Sequence, residues 1–352
     1  MLVYISGLSC SCLLTWLCTK AQIEEKSDKY CVISAMIASL PLVFISAVRY
    51  NVGRDYRAYA RSFRQIAAGA RTETEWLFYI VNKAIASISR DYAAVFVVTA
   101  VLCTFLVFVQ IFRDSPSPVQ SAFFFVAAGY YFVSMNAVRQ MIGCAILLCS
   151  LHAVFEKKFL RFLIMVIIAG GFHKSCLLFI IVYFLNTRRV NRKFLLAGTA
   201  MIYLLSNAIG GLVNSIVAET EYNDYLGSVF ETGKQGLVTL AINASIVAFS
   251  YVFFDEKNKK YYLYFVLQLI ALWMAILTGK VVLINRLGFM FGLPVIILLP
   301  MTIEAISNKW LRAAGKIGIT ALYFLYLLYT VGLNNSNTVL PYRTVFSRIA
   351  GY

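Results

Sequence analysis

Apolar residues run along this chain in blocks about as long as a bilayer is deep, with short polar breaks between them. A helical span needs about 20 mostly apolar residues, with a range of about 17–25. Twelve stretches read as spans: 2–18, 31–48, 92–112, 119–136, 138–155, 159–173, 175–186, 194–217, 237–254, 261–278, 287–305 and 316–333. The stretch at 175–186 is short for a crossing. Another apolar segment, Trp76–Ser89, has 14 residues and carries Asn82 and Lys83, which predicts an interfacial or re-entrant helix. Thr72 and Glu75 have the spacing of a capping box at its start. The pattern predicts an all-α fold: a polytopic transmembrane bundle of about 12 spans. The whole chain, 1–352, reads as one membrane domain with an amphipathic or re-entrant segment near 50–90.

Composition strengthens this picture. Hydrophobic residues make up 61% of the chain and charged residues 14%, against about 25% charged in a soluble domain. The net charge of +16 does not indicate nucleic acid, because the bases sit between apolar runs. The eight cysteines show no C-x-x-C pair and read as small buried hydrophobes. Met1 is followed by apolar residues without a basic stretch, so no cleaved leader is expected.

Charge position sets the expected orientation. Alternate loops hold Lys20, Lys26, Lys29, Arg113, Lys157, Lys158, Arg161, Arg188, Arg189, Arg192, Lys193, Lys257, Lys259, Lys260, Lys309, Arg312 and Lys316, which belong in the cytoplasm. Loop 218–236, with Glu219, Glu221, Asp224 and Glu231, then lies outside, as do both termini. Segment 49–90 also lies outside but holds Arg49, Arg54, Arg57, Arg61, Arg64, Arg71, Lys83 and Arg90. So many cations on the translocated side oppose the usual bias and call for a reason.

Candidate chemistry clusters on that side. Arg54, Arg57, Arg61 and Arg64 share one face of a helix, and Tyr56, Tyr59, Phe63 and Ile66 share another, about 160° away at helical period. This predicts an interfacial helix with its rings toward lipid. Guanidinium groups pair with phosphate oxygens in bidentate fashion, so the arginine face is a candidate phosphate surface. Arg54 and Asp55 share an N-V-G-R-D-Y turn at a membrane exit. Asn136, Arg139 and Gln140 form a polar group where two spans meet, and a charge near membrane depth is a functional candidate. His173, beside Lys174 and after Gly170 and Gly171, has the residue type to accept a proton near neutral pH. Asn285 and Arg286 begin the eleventh stretch from outside, and Tyr342 and Arg343 follow the last. One topology thus places Arg54, Arg139, His173, Lys174, Arg286 and Arg343 on one side, which predicts an outward-facing anion site. No carboxylate lies mid-span, which counts against proton-coupled transport. No His–carboxylate cluster or P-loop motif suggests a metal or a nucleotide cofactor.

These motifs resemble the EpsG-like branch of the Wzy-type O-antigen and exopolysaccharide polymerases. The resemblance rests on V-G-R-D-Y-x-x-Y at 52–59 and T-E-W-L-F-Y-I-V-N-K at 74–83. It extends to M-N-A-V-R-Q at 135–140, F-H-K-S at 172–175, N-R-L-G-F-M-F at 285–291 and P-Y-R-T-V-F at 341–346. The order and spacing of these stretches cover some 300 residues. Arg54 and Trp76 depart from the family pattern. The resemblance implies a glycosyltransferase C-like membrane enzyme in the bacterial inner membrane, with its active site facing the periplasm. Its donor and acceptor would be undecaprenyl-pyrophosphate-linked glycans, without cofactor, metal or nucleic acid. A chain-length regulator is a further partner the resemblance admits. On this reading Arg139, Arg286 and Arg343, assisted by Lys174, clamp the leaving pyrophosphate, and either His173 or Asp55 is the base. Arg54, Arg57, Asn136, Gln140, Asn285 and Tyr342 are candidate pyrophosphate or glycan contacts. The competing readings are a flippase or transporter of lipid-linked glycans, an O-antigen ligase and a membrane acyltransferase. A transporter should show deep cationic residues and an internal repeat, and neither is evident.

Overall fold

The structure of the chain, a computed structural model, describes residues 1–21, 27–187, 190–219, 236–255, 257–281 and 284–349. Expectations for Lys26, Arg188, Arg189 and most of loop 218–236 fall outside these residues. The described residues are helical almost throughout and form no strand; only isolated bridges join Arg49 to Thr344 and Thr278 to Val281.

The order is Leu2–Lys20 (α1), Asp28–Ala47 (α2), Tyr56–Ala67 (α3), Trp76–Ile88 (α4), Ala93–Asp114 (α5), Pro118–Ala127 (α6), Tyr130–Ser134 (α7), Val138–Phe155 (α8) and Phe159–Phe172 (α9). Then come a 3₁₀ turn at Lys174–Ile180, Ile181–Thr187 (α10), Arg192–Ala218 (α11), Gly236–Val252 (α12), Lys259–Leu277 (α13), Ile284–Gly292 (α14) and Val295–Glu304 (α15). Lys309–Leu327 (α16), continued by a π-helical turn at Leu328–Leu333, and Val345–Ile349 (α17) complete the described chain. Each of the twelve apolar stretches is helical. Among the described residues, eight helical segments are long and apolar enough to cross a membrane. Four other stretches, at α6, α9, Lys174–Asn186 and α12, are shorter. The stretch at 119–136 breaks at Gly129, whose φ of +91° ends α6 and restarts the chain as α7.

Contacts divide the chain into two compact units, Met1–Ile180 with Ser307–Tyr352, and Ile181–Ile306. In the first, α2 offers a face of small residues, Ser34, Ala35, Ala38, Ser39 and Ser46, all buried. Lipid supplies no hydrophobic drive for helices to associate, so close backbone approach has to. Ser11 of α1 accordingly donates to the Ala38 carbonyl at 2.6 Å. Phe96, Phe108, Phe112, Phe124, Phe125 and Tyr131 fill the centre, all essentially inaccessible. Apolar residues such as Leu13, Trp16, Leu40 and Phe44 are exposed, as suits a surface solvated by lipid. In the second unit α13 is buried along most of its length. There the Tyr261 hydroxyl hydrogen-bonds Thr302 at 2.6 Å and donates to the Ser250 carbonyl at 3.1 Å, and Gln268 donates to Asn243 at 2.7 Å.

The amphipathic segment is α3, with its arginines exposed as its periodicity predicts. Its rings do not face lipid. Tyr56 and Phe63 are buried in protein, Tyr56 stacks on Phe96 at 4.2 Å, and Tyr59 meets Phe78 edge-on at 5.8 Å. A hydropathy pattern cannot separate lipid from a protein core, because both are apolar, and here α4 and α5 supply the core.

Candidate active site

The site is built on a polar frame where the α2–α3 loop, the turn before α8 and residues 335–345 meet. Arg49 is buried to 1% exposure. It donates to the Ser46 carbonyl and hydroxyl, at 2.7 Å each, and to the Met135 carbonyl at 3.3 Å, and lies 4.7 Å over the Phe96 ring. Burial pulls its pKa down to about 10, so it stays charged at neutral pH. Among the cations of segment 49–90, this one holds structure together.

Next to it the chain turns at Gly53, φ +99°, where a Cβ would stand 3.0 Å from the Met135 carbonyl. The following Arg54 N–H donates to Asn136 Oδ1 at 2.6 Å. The amide nitrogen of Asn136 donates in turn to the Asn337 carbonyl at 3.0 Å and the Phe132 carbonyl at 3.1 Å. Residues 335–345 are tied in by Gly53 N–H to Thr338 at 2.9 Å, Tyr50 N–H to Arg343 at 2.8 Å and Val345 N–H to Val48 at 2.8 Å. The Tyr342 hydroxyl donates to the Ile45 carbonyl at 2.9 Å, and burial pushes its pKa up to about 12. Asn136 and Tyr342 are thus fully engaged in the frame, while the side chains of Arg54 and Arg343 are exposed.

Beside the frame lies a charged cluster, and its centre is Glu75. It is the N-cap residue of α4, yet its side chain makes no cap hydrogen bond. The expected capping box does not form; Thr72 pairs with Thr74 instead. One Glu75 oxygen bonds Arg139 Nη1, and the other lies 3.0 Å from His173 Nδ1. All three are partly buried, with side-chain exposures of 10% for Glu75, 30% for Arg139 and 19% for His173. Burial works to raise the Glu75 pKa, but the His173 hydrogen bond and the Arg139 charge hold it down at about 2. Arg139 also lies against Tyr59 of α3, whose phenol is pushed up by burial and opposed by Arg139.

Local sequence explains why these groups meet. Arg139 sits in the first turn of α8, and His173 follows the last residue of α9 in extended backbone. At Gly171 a Cβ would lie 2.8 Å from the Trp76 ring and 2.9 Å from Leu77. Only a residue without a side chain lets the start of α4 come this close to α9, and that approach brings Glu75 to His173.

The other candidates divide. Lys174 is exposed next to the cluster and Gln140 is buried. Asn136, Arg139 and Gln140 do not act as one polar group, since Asn136 serves the frame and Arg139 the cluster. Asp55 opens α3 without a side-chain cap bond, and its carboxylate takes no hydrogen bond or ion pair among the described residues. Arg57 donates from Nε to Asn51 at 2.9 Å. Arg286 is half-buried in α14 of the second unit, and the Asn285 side chain is outside the described residues. Among the described residues, no three His, Cys, Asp or Glu gather as metal ligands would. Sequence reasoning missed Glu75 as a site residue; the available signal was three carboxylates, Asp55, Glu73 and Glu75, among the eight bases of segment 49–90, with nothing local to single out Glu75.

Residues 32–344 match the EpsG family. No curated protein and no solved structure matches the chain significantly. The match includes Glu75, Arg139 and His173 and nearly the whole helical chain, and so this protein belongs to the EpsG family, a membrane polysaccharide polymerase of the Wzy type.

Proposed function

We propose that this protein joins glycan repeat units carried on undecaprenyl diphosphate into O-antigen or a related surface polysaccharide, at the periplasmic face of the bacterial inner membrane. The observation that carries the reading is one carboxylate, Glu75, bonded to both a histidine and an arginine. An ionised carboxylate only accepts hydrogen bonds, so the proton in the Glu75–His173 bond sits on Nδ1. That leaves the Nε2 lone pair to take a proton, with the ring held by a carboxylate behind it, the logic of a histidine base. The same Glu75 fixes one nitrogen of Arg139, the Tyr59 hydroxyl engages the guanidinium from α3, and the remaining N–H groups are left for phosphate oxygens.

The reaction follows from these parts. An acceptor hydroxyl attacks the anomeric carbon of the donor, and its proton passes to His173 Nε2. The bond from that carbon to phosphate breaks, and the electron pair leaves with the diphosphate. Negative charge grows on the leaving group, where a fixed guanidinium is most useful. Arg139 serves here, with Lys174 beside it, and Arg343 reaches the same leaving group from its exposed position. Asn285 and Arg286 are proposed as phosphate contacts on their motif alone. Asp55 is the competing base: if Asp55→Asn abolishes transfer and His173→Ala does not, the roles exchange.

The test is a surface-polysaccharide gel from a strain lacking this gene, complemented with wild type, His173→Ala or Glu75→Gln. A deletion that leaves core plus a single repeat unit, rescued only by wild type, supports the reading. A core with no repeat indicates a ligase or a flippase instead. For orientation, a reporter fused at residue 190 should read as cytoplasmic and one at residue 228 as periplasmic; the same side for both overturns the periplasmic assignment.

A further inference from the structure

The face of α3 turned away from Tyr59 opens onto a separate cleft. Arg57, Arg61 and Arg64 line it together with Tyr50, Asn51, Tyr56 and Tyr92, around a volume of about 330 Å³. Asn51 accepts from Arg57 Nε at 2.9 Å, and the Arg64 guanidinium lies 4.5 Å over the Tyr92 ring. Among the described residues none of these three arginines has a carboxylate within ion-pair distance. Like charges at this helical spacing repel, and three uncompensated guanidiniums in one concavity ask for an anion with several acceptor oxygens. The tyrosine rings give the same cleft flat, partly apolar walls. Its chemistry is that of a membrane-held phosphate.

Joining two lipid-diphosphate substrates involves two diphosphates with opposite fates. One glycosyl–phosphate bond breaks and its diphosphate departs. The acceptor's own glycosyl–phosphate bond must survive every cycle. A diphosphate that is to stay intact is best held away from the base, and two in one clamp would repel each other.

We infer that the α3 cleft is a second phosphate site, separate from the Glu75–Arg139–His173 cluster, which holds the acceptor's diphosphate. The inference rests on the polymerase reading for the identity of its ligand. The geometry of the cleft is independent of that reading.

The experiment uses the full-length protein in phosphatidylcholine nanodiscs, titrated by calorimetry with a short polyprenyl diphosphate that carries no sugar. Wild type should bind two equivalents. Arg61→Gln with Arg64→Gln should weaken one of them by about tenfold or more, the loss expected for charge-assisted hydrogen bonds, and Arg139→Gln should weaken the other. Arg61→Lys, which keeps the charge and loses the fork, should fall between. In the polymer assay the double variant should raise KM for acceptor while sparing kcat. A single equivalent in wild type, or the same equivalent lost in both variants, overturns the second site. If phosphatidylglycerol in the nanodisc displaces the Arg61-dependent equivalent as well as the diphosphate does, the cleft is an ordinary headgroup site and the acceptor assignment falls. Two equivalents bound by a protein that makes no polymer would keep the two-site geometry and remove the polymerase reading, a result distinct from the others.

Discussion

On the proposed mechanism Glu75 does not touch the substrate; it is a positioning residue that acts through its bonds to His173 and Arg139. Glu75→Gln keeps the shape and removes the charge, so the base loses its orienting partner. Polymer formation should drop by about 10²–10⁴-fold, the range of a lost acid–base contribution, while the protein still reaches the membrane. Quantitative complementation with an expression control measures this. Acid should dismantle the same contacts in a defined window. The Glu75 pKa is depressed from 4.5 to about 2. Its contribution to stability is therefore complete above 4.5 and is lost as pH falls toward 2. The melting-temperature gap between wild type and Glu75→Gln should be constant at neutral and mildly acidic pH, then close across that window. A gap that closes well above 4.5 would mean that ionisation of Glu75 does not govern the cluster. At this scale His173 and Arg139 stood out in the sequence by residue type, and the structure joins both to one carboxylate. Glu75 did not stand out, because its partners are 64 and 98 residues away, and its local sequence looks like a helix cap.

At the scale of elements, the adjacent glycines of α9 have different neighbours. A Cβ at Gly171 meets the Trp76 ring and Leu77, while the nearest atoms to one at Gly170 all belong to the Leu177 side chain. Gly171→Ala should push α4 away and carry Glu75 with it, at a cost of about 1–3 kcal/mol for overpacking. Activity should fall with it. Gly170→Ala should be milder, because a leucine end can swing aside. Activity and melting temperature for the two variants side by side check the contrast, and equal loss in both would remove the α4 approach from the account. Periodicity showed most of the helices, and it showed the amphipathic character of α3. It could not show which apolar medium the α3 rings enter, nor that Gly129 splits one stretch into two helices. Pairing and turn geometry decide these, and neither leaves a period in the sequence.

For the molecule as a whole, the frame ties residues 335–345 to the α2–α3 loop and the start of α8. Asn136→Ala deletes three hydrogen bonds to Arg54, Phe132 and Asn337, worth about 0.5–1.5 kcal/mol each. It should lower both stability and polymer yield, and protease sensitivity of residues 335–345 should rise. Unchanged sensitivity would mean that the segment is held by its other contacts. A membrane bundle was readable from hydropathy alone, and Arg343 and Tyr342 stood out by motif. That Tyr342 serves as a strut, and Arg49 as a buried keystone, follows from long-range pairing that no local pattern encodes.

The late position of that strut bears on biosynthesis. The α2–α3 loop and the α8 turn leave the ribosome long before Asn337, Thr338 and Arg343 are made. Until then their carbonyl partners are missing, and the Glu75 cluster has no finished support. Chains stalled before residue 335 should therefore insert their early helices yet stay inactive, and a separately expressed terminal fragment should restore function if it can still dock.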